Sequence, residues 1–373
     1  MASPFDPVFD LLRRASRISP DEQDVVSLRQ AVSSFNSWQA LVTEAENNAV
    51  APLIYHNLSA SGIDIPRDVK RQLYALVQRH RWANDARAKA LAEIVEACAQ
   101  ESIQLVILKG AYLAHSIYPD PALRTMSDID LLAPPEQAVE VIRILRELGY
   151  SVPEHSASRY MSEHHHLPGA HKTRDDQQIL VEVHHDALSG DAPASITTKN
   201  LTSPLNEFFI GERRYFCLGY QDQLRHLYHH MSEPAAKLKL IWCVDIVFYA
   251  SQFEQQIDWA GLHKEYPQVV NALRLVDFIL ALPKNLRAHV EENVCPAPAG
   301  TGVSILPLTS ILRKPLQERL TDLLYPSNWW LRLYYGVSPD NSLFITRWVR
   351  HPWQVLKWIS RRLRASRQHG RGE

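Results

Sequence analysis

The stretch Leu105–Leu132, LVILKGAYLAHSIYPDPALRTMSDIDLL, decides the reading of this chain. Leu105 to Leu108 is an unbroken apolar run that predicts a buried strand, and it stops at Lys109-Gly110. Ala111 to Tyr118 predicts a helix, broken by Pro119-Asp120-Pro121. Ile129 to Ala133 predicts a second strand, entered through Asp128 and carrying Asp130. Two residues apart at the start of a strand, these carboxylates can share one face.

Working outward, Pro134-Pro135 opens a helix whose stripe Ala138, Val141, Ile142, Leu145 and Leu148 closes at Gly149. A His-rich segment and a polar turn at Arg174–Gln177 follow. Ile179 to His184 then predicts a third strand, where alternation groups Leu180, Glu182 and His184. Phe208 to Leu218 reads as a hairpin around Gly211-Glu212. Upstream the pattern is helical. Trp38, Leu41, Val42 and Ala45 keep helical spacing, and Pro66 opens a long helix with the stripe Val69, Leu73, Leu76, Ala83, Ala90, Ile94 and Cys98, interrupted at Arg87. Helical spacing returns at Leu224, Leu227, Tyr228 and Met231, and a last helix spans roughly Arg347 to Arg367. The expected fold is α/β (α+β): a small mixed β-sheet core at 102–220, between a helical region at 1–101 and another at 221–373.

Composition narrows the classes. Of 373 residues 46% are apolar and 22% charged, with a net charge of -1, which excludes extended disorder, a coiled-coil rod and overall basicity toward nucleic acid. None of the 13 glycines falls in a GxGxxG or Walker A loop. The four cysteines, Cys98, Cys217, Cys243 and Cys295, lack CxxC spacing and read as reduced thiols of a cytoplasmic protein. The N-terminal residues do not read as a signal peptide, and the most apolar stretch, Leu238 to Ala250, is too short to span a bilayer.

Asp128, Asp130 and Glu182 are the candidate chemistry. An ionised carboxylate in an apolar strand costs several kcal/mol unless paired or bound to a cation. Three acids on neighbouring strands call for a divalent metal, and hard oxygen ligands favour Mg²⁺ or Mn²⁺. Two such ions about 3.5–4 Å apart, clamping a nucleotide's phosphates, are the usual use of this cluster. The bland alternative has Asp128 capping a turn, Asp130 facing solvent and Glu182 paired with Arg124. The surrounding residues decide against it.

Lys109-Gly110, Arg124, Asp128-Ile129-Asp130 and Glu182-Val183-His184 together resemble the bacterial uncharacterised nucleotidyltransferases, of the DNA polymerase β-type superfamily. The similarity extends to the Leu227-Tyr-His-His230, Trp329-Trp-Leu-Arg332 and His351-Pro352 segments. It implies transfer of a nucleoside monophosphate, AMP from ATP foremost among NTPs, to a hydroxyl or phosphate acceptor, releasing pyrophosphate. It also implies that Asp128, Asp130 and Glu182 are catalytic metal ligands. Lys109, Gly110 and Arg124 would stand at the triphosphate, with His184 touching phosphate or orienting an acid. One departure is Ala111, where the superfamily's loop has Gly or Ser, which removes a hydroxyl contact. The gap from Gly110 to Asp128 is also longer than in minimal members. The acceptor is not legible: a small molecule, peptide, protein or RNA end all fit. A kinase-like phosphotransferase on the same acids, or a nucleotide sensor or scaffold without turnover, are the competing readings. A metal-dependent hydrolase is weaker, because the histidine spacing is wrong for it.

Two features stay open. His164, His165, His166, His171, His184 and His185 surround Glu182 in sequence without matching a zinc signature, and His226 and His229 share a helix face by spacing. The last helix joins Val349, Trp353, Leu356, Ile359 and Leu363 to a dense basic face. It reads either as a helix docked by that apolar stripe, the preferred alternative, or as a peripheral contact with an anionic membrane or nucleic acid.

Overall fold

Four short helices precede the long one. α1 (Pro7–Ala15) starts where Asp6 accepts from the amides of Val8 and Phe9, and α2 (Glu22–Val32) starts in a reciprocal Asp21/Asp24 capping box. After α3 (Trp38–Asn47) and α4 (Ala51–Ala60), α5 (Arg67–Gln100) runs for 34 residues, capped by Pro66. The computed structural model describes residues 5–153, 164–188, 195–232, 238–290, 324–357 and 360. The readings on Cys295, Trp358, Ile359, Leu363 and the arginines from 361 onward lie outside them.

The buried face of α5 carries Val69, Leu73, Val77, Ala83, Ala90 and Ile94, and also two buried polar residues, Asn84 and Arg87. Behind it comes the sheet. Its strands are β1 (Val106–Ile107), β2 (Ile129–Leu132), β3 (Ala170–Arg174), β4 (Gln177–His184), β5 (Asn206–Ile210) and β6 (Arg213–Cys217), in the order β3-β4-β2-β1-β6-β5. The β1–β6 and β2–β4 pairs are parallel and the other three antiparallel, so the sheet is mixed as expected. Helices α6 (Lys109–Ser116) and α7 (Ala138–Glu147) fill the connections around β2, and α5 and α7 both pack on β4. β3 is an element the sequence pattern missed. Its turn into β4 has Asp175 and Asp176 at φ of 48° and 56°, a left-handed pair more often built with Asn-Gly. The Gly211 hairpin is present, with φ of 61° at that glycine.

The chain divides into two units. The first comprises residues up to Met231 together with Lys239–Asp258, and so includes the sheet, α8 (Tyr220–Ser232, all but its last residue) and α9 (Leu240–Gln252). The second, beginning again at Trp259, is helical: α10 (Trp259–Glu265), α11 (Pro267–Asp277), α12 (Lys284–Arg287) and α13 (Asn328–Tyr335). Trp329 on α13 donates its indole N–H to the Leu275 carbonyl on α11 at 3.1 Å. After a π-helical turn at Thr346–Arg350, the helix continues to residue 357. It does not dock by the stripe the sequence singled out. Val349, Trp353 and Leu356 are exposed, whereas Thr346, His351 and Val355 are buried. The inward face is held by polar and aromatic contacts instead: Tyr335 Oη lies 3.1 Å from His351 Nδ1, and the His351 ring packs on Trp330.

Candidate active site

Backbone register builds the centre. β2 and β4 run parallel with Asp130 opposite Glu182 and Leu132 opposite His184, so Asp130, Glu182 and His184 project from one face. The other face carries Ile129, Leu131, Val181 and Val183, all fully buried. A slip of one residue would turn the acids into the apolar layer and these apolar groups to the other face, so the hydrophobic alternation fixes where the carboxylates point.

One oxygen of Asp130 is the focus. His184 Nε2 and Lys109 Nζ each lie 2.9 Å from Asp130 Oδ1. Burial raises the Asp130 pKa, but Lys109 and His184 outweigh it and hold the carboxyl well below the usual range. For Lys109 burial works against the charge, yet Asp130, Asp128 and Glu182 keep its pKa raised. Burial lowers the His184 pKa while the Asp130 contact works against that shift, and because an ionised carboxylate only accepts, Nε2 is the donor of this pair. His184 Nδ1 is buried without a hydrogen-bond partner.

The β1–α6 junction places the lysine. Lys109 opens α6 at φ of 42°, a left-handed conformation that costs a non-glycine residue on the order of 1–3 kcal/mol. Gly110 follows in close contact. A Cβ there would stand 3.0 Å from Met126 Cγ and 3.3 Å from Arg124 Nη1, so any larger residue requires these side chains to give by a few tenths of an ångström.

Asp128 precedes β2 and sits in the wall of a cavity of about 390 Å³ that also takes in Lys109, Asp130, Arg79, Lys239 and Trp242. Burial, with the Asp130 and Glu182 charges, pushes its pKa up to about 6. Unlike Asp130, it is held through a loop. Along α5, Arg81 pairs with Asp120, Asn84 Nδ2 donates to the carbonyls of Pro121 and Arg124 at 2.8 and 2.9 Å, and Arg87 Nη2 donates to the Ser127 carbonyl at 3.2 Å. Arg87 is buried, and its Nε and Nη1 have no hydrogen-bond partner. Arg124 lines the cavity, but its Nε and Nη2 donate to the buried Asp245 carboxylate, at 2.7 Å for the shortest contact, and Nη1 donates to the Thr125 carbonyl. Tyr118 Oη donates to the same Asp245 at 2.7 Å. Arg124 therefore pairs with Asp245 and not with Glu182, which leaves Glu182 at the centre.

The histidines separate into groups. His165 and His166 pack their rings 5.3 and 5.4 Å from that of His184, and His166 bridges to it through the backbone. On α8 the face near Lys109 and Asp130 is made by His226 and His230, not by His226 and His229. Burial first, then the Lys109 charge, holds both well below the ordinary histidine range, whereas after burial His229 senses Arg225 and Asp186. Four-residue spacing joins the pair, as three-residue spacing joins His226 and His229. Asp245, Asn84 and Arg87 were also missed as site residues. The only signal was a charge interrupting the apolar stripe at Arg87.

The residues fit a divalent cation. Ligand-capable atoms of Asp130, Glu182 and His184 all lie within 4.8 Å of one another, close to the span across one coordination sphere. The Lys109 ammonium already stands at this group through Asp130, and Asp128, which lines the cavity, is not one of the three clustered residues. Two carboxylates with an imidazole make a donor set for a divalent cation and do not by themselves select which one.

A family model described as an uncharacterised nucleotidyltransferase matches residues 35–287. The crystal structure of ANT(2")-Ia in complex with adenylyl-2"-tobramycin aligns at 19% identity over 45% of this chain and 89% of that one, with a TM-score of 0.32. The solution structure of the antibiotic-resistance factor ANT(2'')-Ia aligns at 16% identity over 49% and 94%, with a TM-score of 0.34. No curated protein matches the sequence.

Proposed function

We propose a reaction for this chain, which belongs to the uncharacterised nucleotidyltransferase family: metal-dependent transfer of AMP from ATP to a hydroxyl or phosphate acceptor, with release of pyrophosphate. The observation that carries the proposal is the register that sets Asp130 against Glu182, with Lys109 on Asp130 and a cavity alongside.

In this reading Asp130 and Glu182 hold Mg²⁺ or Mn²⁺, with Asp128 completing the acidic set and His184 fixing the Asp130 carboxylate. When bound, the cation supplies charge stabilisation at the α-phosphate and lowers the pKa of an acceptor hydroxyl. The acceptor oxygen forms its bond to the α-phosphorus as the bond to the β-phosphate oxygen breaks. Glu182, which is partly exposed, takes the acceptor's proton on a carboxylate oxygen. Lys109 acts as a point charge toward the phosphoryl oxygens. Arg124 keeps one N–H on each terminal nitrogen beyond its bonds to Asp245 and Thr125, so it contributes less to phosphate than a free guanidinium would. Its larger role is to fix the loop that presents Asp128.

Incubation with Mg²⁺, a host extract and α- or γ-labelled ATP tests the proposal. Label reaching an acceptor from the α position only is the expected result. Label from the γ position only would replace the reaction by phosphoryl transfer, and MgATP binding without any product would make the chain a sensor.

A further inference from the structure

The second unit carries a surface that the nucleotidyl-transfer reading does not use. Phe344, Ile345, Trp348, Val349, Trp353 and Leu356 are each between 55 and 69% exposed. They recur as neighbouring pairs every four residues, with exposed Pro352 completing the third pair, so they form one continuous apolar face along residues 344–357. Tyr325, also exposed, packs its ring against Trp348 and widens it. The opposite face is the docked one, through Thr346, His351 and Val355. Soluble surfaces seldom leave so many large apolar groups contiguous without a partner.

We infer that this face is a docking surface for an anionic lipid bilayer, with the helix lying in the interface plane. Its chemistry is that of an interfacial helix: two indoles and a phenyl ring beside aliphatic groups, with cations at the edges. Arg350, stacked over Tyr335 at 5.1 Å, and Lys357 are exposed at its borders. From residue 347 to the last residue the sequence has eight basic residues and one acid, Glu373. Among the described residues no helix is long and apolar enough to cross a membrane, so the face lies on the bilayer and does not enter as a span.

Two other occupants fit less well. A second copy of this face would bring its own cations against each other, like charge to like charge. A nucleic acid would use the cations and the rings, but Ile345, Val349 and Leu356 offer nothing to stack a base on.

Sedimentation of the full chain with vesicles of phosphatidylcholine alone, or with one-third phosphatidylglycerol, tests this at low and high salt. Binding to the anionic vesicles, weakened by salt and accompanied by a blue shift of tryptophan emission, is expected. Trp348→Ser with Trp353→Ser should lower binding at least about tenfold. Arg350→Gln with Lys357→Gln should weaken it about 25-fold on anionic vesicles only, at roughly fivefold per cation. All four side chains are exposed, so unchanged circular dichroism melts serve as the folding control. No binding to anionic vesicles, or equal binding by the parent and both double variants, would overturn the inference. So would a concentration-dependent dimer abolished by the tryptophan changes, or an RNA or DNA oligonucleotide that displaces the vesicles.

Discussion

Asp130 and Asp128 are two residues apart, yet the fold holds them by different means. Asp130 is placed by backbone register, in a strand pair whose far face is fully buried, and two side chains converge on one of its oxygens. Asp128 ends a loop gripped by α5 from outside the sheet, through Asp120, Pro121, Arg124 and Ser127. The second arrangement depends on long side chains from a helix that ends before the sheet begins. The difference teaches that α5 supports the candidate site, because it holds the loop that leads to Asp128.

The most severe break is Asp130→Asn. Turnover should fall by about 10³-fold, while stability moves by less than about 2 kcal/mol, because Asp128 and Glu182 still face Lys109. Labelled-product assays and urea melts read the two quantities, and a variant with normal turnover would remove Asp130 from the site. Next is Asp245→Asn, which leaves Arg124 buried beside a neutral partner. A loss of about 3–5 kcal/mol in urea unfolding is expected, larger than for any change in the strand pair that keeps its packing.

Arg87→Met sharpens the comparison. Two of its buried nitrogens have no hydrogen-bond partner, so replacing the charge by a thioether should leave the melting temperature unchanged or higher. The Ser127 carbonyl loses its donor, and kcat should drop about tenfold to a hundredfold through misplaced Asp128. Equal kcat in parent and variant would mean that the loop holds its own shape. The smallest effect belongs to Gly110→Ala. The helix gains about 1 kcal/mol of propensity, offset by the 3.0 Å approach to the flexible Met126 side chain, so stability should stay within about 1 kcal/mol. A loss several times larger would show that Met126 cannot yield.

What the sequence made legible was local. The apolar run before Lys109-Gly110, the alternation around Glu182 and the glycine hairpin are each set by a few neighbouring residues, and they delivered β1, β2, β4 and the β5–β6 pair. β3 was hidden because its turn uses Asp175-Asp176, where no glycine announces the positive φ. The partner of Arg124 was hidden for another reason. Asp245 lies 121 positions away in the middle of the apolar α9, and nothing local links the two. The final helix misled because apolar periodicity reveals a face without revealing what the face meets. Val349, Trp353 and Leu356 form a genuine stripe, and it points to solvent while His351 points in.

The long helix α5 has a mechanical consequence. Its grips at Arg81, Asn84 and Arg87 are spaced like marks on a ruler, each matched to one point of the loop between Asp120 and Ser127. Removing or adding a single residue within that span would rotate every later mark by about 100° about the helix axis. A length change that an ordinary surface helix absorbs would here misalign a carboxylate more than forty positions further along the chain. Substitution along its exposed face should be absorbed, but the count of residues between the first grip and the last sets how the loop before Asp128 is held.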